Sequence, residues 1–90
     1  MMFLARVRVV LKPVVNDPQG LAVLGGLRLL GYESASQVRI GKYIEITLDA
    51  DDSVQAEQLV DGMCRRLLAN PVIEEYEIEG MEALVAAAER

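Results

Sequence analysis

QVRIGKYIEITL, residues 37–48, is the stretch whose reading decides the fold. Its even positions are Val38, Ile40, Lys42, Ile44, Ile46 and Leu48, and five of those six are aliphatic. Its odd positions, Gln37, Arg39, Gly41, Tyr43, Glu45 and Thr47, hold no aliphatic side chain. Successive side chains on a strand point to opposite faces, so this alternation predicts one strand with one buried face. The rival is a hairpin turning at Gly41-Lys42. It would set Ile40 opposite Tyr43 and Val38 opposite Glu45, and send Ile44 and Ile46 to the other face, because a one-residue change of phase flips every side chain. The continuous strand keeps the apolar set together and is preferred, with a bulge or bend at Gly41. At about 3.3 Å per residue it would span roughly 40 Å, about twice an ordinary strand. A ribbon that long overshoots a globule of 90 residues, so its ends are expected to lie in different packing units.

Composition points the same way. A chain of this size buries a limited core and needs a further source of stability. Cys64 is the single cysteine and histidine is absent, so neither a disulfide nor a zinc cluster can supply it. Oligomerisation remains, and the 52% apolar content exceeds what a small monomer needs. No apolar run reaches the roughly 18 residues of a membrane span, and Arg6 and Arg8 sit inside an alternating pattern with no charged region ahead of an apolar block. A cytoplasmic location without signal peptide or membrane anchor is expected. The net charge of −5 argues against general nucleic-acid binding. The charge is uneven: residues 1–44 carry six basic and two acidic groups, residues 45–90 three and twelve. That asymmetry suits either head-to-tail association or a solvated acidic surface.

Around the long strand the chain reads in order. Phe3, Ala5, Val7, Val9 and Leu11 alternate with Arg6, Arg8 and Lys12, a first strand closed by Pro13. Asp17 is the expected N-cap of a first helix, with Pro18 at its first position. Leu21, Val23, Leu24, Leu27 and Leu30 form the stripe expected to be buried, and Gly31 the left-handed stop. Gly25-Gly26 in mid-helix predicts close approach of another backbone. Asp52 and Gln55 resemble a capping box for a second helix. Its stripe is Ala56, Leu59, Val60, Met63, Leu67 and Leu68, and Asn70-Pro71 closes it. Residues 72–79 make a third strand that Gly80 is expected to break. Residues 1–80 thus form one domain and residues 81–90 a tail, either a short helix or frayed. The fold class is α+β, strand-helix-long strand-helix-strand. If Gly41 divides the middle strand, the scheme is ferredoxin-like. If the strand runs through, its two halves pair with different chains, as in segment-swapped dimers.

Reaction chemistry is hard to find. Without His, no side chain titrates near neutral pH in its ordinary state. Cys64 falls within helix 2 and is read as a buried structural thiol. Asp17-Pro18-Gln19-Gly20 is either a plain cap or a small anion site at a helix start. Lys42 stands on the apolar face of the long strand. Either it reaches a carboxylate or carbonyl of a partner, or its stem packs and its amine reaches water. Asp49, Asp51 and Asp52 fit a loop and a cap better than a divalent metal. Glu74, Glu75, Glu77 and Glu79 fit a solvated edge. No catalytic, cofactor or metal residue is assigned. Lys42, Asp17, Gln19 and Asn70 are the candidate partner contacts.

LKPVVNDPQG (residues 11–20), VRIGKYIEITL (38–48) and MCRRLLANPVIEEYEIE (63–79) together resemble PurS, the small-subunit family of phosphoribosylformylglycinamidine synthase. The likeness spans nearly the whole chain. Val14-Val15-Asn16 stands where the family usually has Gly-Val-Leu, a departure confined to the first turn. The resemblance implies a PurS-like fold and a subunit of an ATP- and glutamine-dependent ligase of purine biosynthesis. In such an enzyme a PurQ glutaminase releases ammonia. A PurL synthetase uses ATP and magnesium to convert formylglycinamide ribonucleotide (FGAR) to the amidine (FGAM). The PurS-like chain would bridge the two, aid ammonia transfer and carry no cofactor or catalytic residue of its own. The family's segment-swapped homodimers, often paired into tetramers, agree with the strand argument. A dimeric ferredoxin-like module that binds a regulatory small molecule is the alternative.

Overall fold

The computed structural model describes residues 1–84. Strand β1 (Met2–Leu11) is the centre of a three-stranded antiparallel sheet, flanked by β2 (Gly41–Asp49) and β3 (Glu74–Leu84). The alternation in β1 does what its sequence predicts: Phe3, Ala5, Val7 and Val9 are buried on one face, with Arg8 exposed on the other. Opposite them in β2 stand Leu48, Ile46, Ile44 and Lys42. The even positions from Lys42 to Leu48 therefore share the core face, whereas Val38 and Ile40 lie outside the strand.

The long-strand expectation is met in topology and corrected in extent. The chain does not double back at Gly41, since β2 pairs with β1 and residues 37–40 join no ladder among the described residues. Strand structure requires a neighbour, and among the described residues this segment has none. Gly41 is needed for a close approach and not for a bend. A Cβ there would sit 2.7 Å from the Val9 carbonyl oxygen and 2.8 Å from Val10 Cγ1.

Gly80 does not break the third strand. β3 runs through it to Leu84, and residues 81–84, expected in the tail, are strand. The register explains the misreading. Val7 faces Ile78 and Arg6 faces Gly80, so Glu79 is an extra residue, a β-bulge. Before the bulge Tyr76 and Ile78 lie on the core face, opposite Val9 and Val7; after it Met81 and Ala83 do, opposite Ala5 and Phe3. The phase switches from even to odd, which hides the second half of the strand from a period-two search. Residues 85–90, the remainder of the expected tail or helix, lie outside the described residues.

Helix α2 (Ser53–Met63) covers the core face. Asp52 accepts from the Gln55 N–H at 2.8 Å, and the Gln55 side chain accepts from the Asp51 N–H, one residue earlier than in an ideal capping box. Ala56, Val60 and Cys64 are fully buried, with Met63 and Leu68 packed beside them. Leu59 and Leu67, expected in the stripe, are exposed. The helix ends in one π turn, Cys64–Leu68, closed by the Ala69 N–H on the Cys64 carbonyl. Asn70 then works as a turn residue. Its side chain accepts from the Val72 N–H at 3.0 Å, and its carbonyl accepts from Ile73 and Glu74.

Helix α1 (Pro18–Leu29) has the expected ends. Asp17 caps it, and Gly31 at φ 98° closes it. The Tyr32 N–H bonds the Leu27 carbonyl and the Gly31 N–H that of Arg28, a Schellman pair. Its apolar stripe is not buried by this chain. Leu21, Val23 and Leu30 are exposed, Leu30 by 75%, and Leu24 and Leu27 are half-buried. A Cβ on Gly25 or Gly26 would touch nothing, so the close approach predicted there is absent within the chain. α1 and the segment after it form an arm beside the sheet. The radius of gyration is 17.2 Å, against about 12 Å for a compact chain of this length. Among the described residues, no helix is long and apolar enough to cross a membrane.

Candidate functional site

The chain leaves the sheet at residues 12–17 and returns at residues 38–41, and the two passages are tied to each other at the neck of the arm. Asp17 is only 4% exposed. One of its carboxylate oxygens accepts from the Gly20 N–H at 2.9 Å and the other from the Ile40 N–H at 2.7 Å. These two backbone donors, Ile40 first, hold the carboxyl below its ordinary pKa, with Arg39 adding to the effect. Arg39 ties the passages a second time, donating to the Lys12 and Val15 carbonyls at 3.1 Å each. Gly20 is required where the passages cross. A Cβ there would lie 2.2 Å from the Val38 carbonyl oxygen. The DPQG motif is therefore a cap that also holds the returning chain.

Beside the neck opens a cleft of about 320 Å³, lined by Val9, Leu11, Asp17, Gln19, Ile40, Gly41, Lys42 and Glu74. Three of the four candidate contacts meet here, Asp17 and Gln19 from one motif and Lys42 from the start of β2. The Lys42 amine lies 3.8 Å from the Glu74 carboxylate and 3.5 Å from the Leu68 carbonyl, and the side chain stays 57% exposed. It thus combines both readings of the sequence, and its carboxylate comes from its own chain. Asn70 does not line the cleft. It acts at one remove, since its N–H donates to Glu74 at 2.7 Å and its turn sets where β3 begins. Glu74 and Arg39 are the residues that sequence reasoning passed over. Glu74 stands first in an acidic run that reads as solvated edge, and Arg39 occupies an ordinary polar position in an alternating strand. Neither carries a local signal.

The remaining polar groups hold the fold together. Tyr76 donates to Asp61, which also pairs with Arg65 at 2.9 Å, joining β3 to α2. The bond lowers the Asp61 pKa and raises that of Tyr76. Burial pushes the Cys64 thiol up, as expected for a structural cysteine. On the open face of the sheet Arg6 pairs with Glu82, and Arg8 with Glu77 and Glu79. Asp49 holds the N-terminal ammonium at 2.8 Å and Asp52 caps α2. Five of the seven carboxylates in the acidic runs, all but Asp51 and Glu75, thus meet a cation or an N–H group among the described residues. Among the described residues no three of His, Cys, Asp or Glu gather as metal ligands.

This arrangement offers a presented arm, a tied neck and a small polar cleft. The PurS model, phosphoribosylformylglycinamidine (FGAM) synthase, matches residues 4–82. The chain belongs to the PurS family. The PurS subunit of Synechocystis is 56% identical over 82 residues, covering 89% of this chain and 82% of that one. The PurS subunit of Bacillus subtilis is 46% identical over 85 residues, covering 94% and 99%. The solved structure of Thermus thermophilus PurS superposes with a TM-score of 0.84 at 39% identity, over 94% of this chain and 100% of that one. A chain of the PurLQS structure of Thermotoga maritima gives 0.81 at 31% identity, over 93% and 99%. As a PurS-family chain it is a subunit of phosphoribosylformylglycinamidine synthase, a ligase of purine biosynthesis. The three-stranded sheet with two helices is the PurS fold.

Proposed function

We propose that this chain is the assembly subunit of its synthase, holding a PurL-type synthetase and a PurQ-type glutaminase together without catalytic residues of its own. ATP and magnesium act in the synthetase, and the assembly eases passage of ammonia from the glutaminase. Two copies exchange segments to make the working unit, and dimers pair into tetramers. Of the four candidate residues, Lys42 and Gln19 at the cleft are the contacts with the larger subunits, while Asp17, buried beside it, and Asn70, behind it, act by placing them.

The observation that carries this reading is the arm. A helix with a leucine stripe, capped at both ends, stands beside the sheet with Leu21, Val23 and Leu30 exposed. Among the described residues nothing covers that stripe, and a second chain would supply the cover. The segment at residues 37–40 supports the exchange. A ferredoxin-like sheet has four strands, and this one has three, with the outer edge of β2 vacant. Residues 37–40 of a second copy have the alternation to fill it.

Two measurements test the proposal. Light scattering coupled to chromatography should return a dimer or tetramer mass for the chain alone. Mixed with PurL- and PurQ-type partners, glutamine, magnesium and ADP, the chain should co-elute with both. A monomer mass overturns the exchange. Failure to co-elute under any ligand condition overturns the assembly role.

A further inference from the structure

We propose that Asp17 and Arg39 form a clasp that fixes the direction of the α1 arm relative to the sheet, making them positioning residues for assembly. The inference rests on the reading of the chain as an assembly subunit and adds to it the device that aims the contact surface.

The geometry is specific. α2 is fixed to the sheet by a packed core, whereas α1 does not lie on that core. The direction of α1 is set at the neck. There, four hydrogen bonds join residues 12–20 to residues 39–40 or close the cap: Gly20 and Ile40 to Asp17, and Arg39 to Lys12 and Val15. Each passage alone would be a flexible connection. Tied together they behave as one stiff joint, because a twist of either must break the shielded Asp17 bonds along with the two exposed Arg39 bonds. Asp17 is suited to this because a carboxylate has two accepting oxygens and no donor. Asparagine at this position keeps one acceptor and turns an NH2 group toward an N–H, so one tie is lost and a donor faces a donor. Gly20 completes the joint by letting the Val38 carbonyl pass within reach.

An arm that swings freely presents its apolar face in the right direction only part of the time. Apparent affinity falls by that fraction. If loosening leaves one arm in ten correctly placed, each arm weakens association about tenfold, and a dimer that needs both weakens about a hundredfold. The core of β1, β2, β3 and α2 has no part in this and keeps its protection.

The test compares the wild-type chain with Asp17→Asn and, as a second and independent break, Arg39→Met. Spin labels on Leu29→Cys and Gln58→Cys, in chains diluted with unlabelled protein, report the distance from arm to body. Sedimentation reports self-association, and hydrogen exchange reports β1. The expected result is one narrow distance in the wild-type chain and a broad distribution in both variants. Self-association should weaken about a hundredfold in both, with β1 amides equally protected in all three. A broad distance in the wild-type chain, or a narrow one in both variants, overturns the clasp whatever the association. Loss of β1 protection in step with association overturns it too, because the residues would then be merely structural. A narrow wild-type distance that broadens in both variants, in a chain that never self-associates, upholds the joint and strikes instead at the assembly reading.

Discussion

The two helices of this chain were built from the same grammar and ended in different places. α1 and α2 each begin with an aspartate cap and each carry an aliphatic stripe. α2 lays Ala56, Val60 and Cys64 onto the sheet and leaves none of the three exposed. α1 leaves Leu21, Val23 and Leu30 in the open and tolerates Gly25-Gly26 with nothing near them. The contrast teaches that periodicity identifies the apolar face of a helix but not the chain that covers it. It also divides the molecule: the body holds the packed core, and the arm carries an apolar stripe left open.

The sharpest break of that division is Val60→Asp. It places an unpaired carboxylate in the body core, where the cost of several kcal/mol rivals the whole stability of a small domain. Circular dichroism should show no cooperative thermal transition. The matching change in the arm, Leu30→Glu, should leave the spectrum intact and reduce the light-scattering mass to that of one chain. If Leu30→Glu also unfolds the protein, body and arm are one cooperative unit.

Smaller changes refine the comparison. Cys64→Ser buries a hydroxyl in an apolar place and should cost about 1–3 kcal/mol in a denaturant titration. Gly25→Ala and Gly26→Ala each favour the helix by about 1 kcal/mol where the backbone stays uncovered. Through a second chain packed on those glycines they should instead weaken association. Opposite signs in stability and mass would place a partner backbone at that spot. The least effect concerns acid. The depressed pKa of Asp17 means that its contribution is complete above the ordinary carboxylate pKa. It is lost as pH falls through the lower value of the folded state. Exchange of the Ile40 amide should therefore quicken only in strong acid, and Asp17→Asn should remove that dependence.

Much of the body was legible because its signals are local. Alternation in residues 3–11 and 42–48 names the core face, and Asp17, Pro18, Gly31 and Asp52 mark helix ends. The family resemblance rested on three linked segments and held. What stayed hidden depends on partners distant in sequence. The bulge at Glu79 is visible only once Arg6 and Val7 are set against Gly80 and Ile78. Leu59 and Leu67 fit a helical stripe by spacing, but α2 touches the sheet along the narrower line of Ala56, Val60 and Cys64, and the π turn rotates the last residues. The cleft joins Gln19 to Lys42 and Glu74 across the fold, which no motif at a single place announces.

The surplus residue at Glu79 has a consequence for folding fidelity. A ladder built without it would keep a single phase along β3, so hiding Tyr76 and Ile78 would turn Met81 outward, and hiding Met81 would turn the other two outward. Only a kinked pairing satisfies both halves at once. The kink therefore works as a proofreading device: straight pairings with β1 are penalised because each leaves apolar side chains on the wet face.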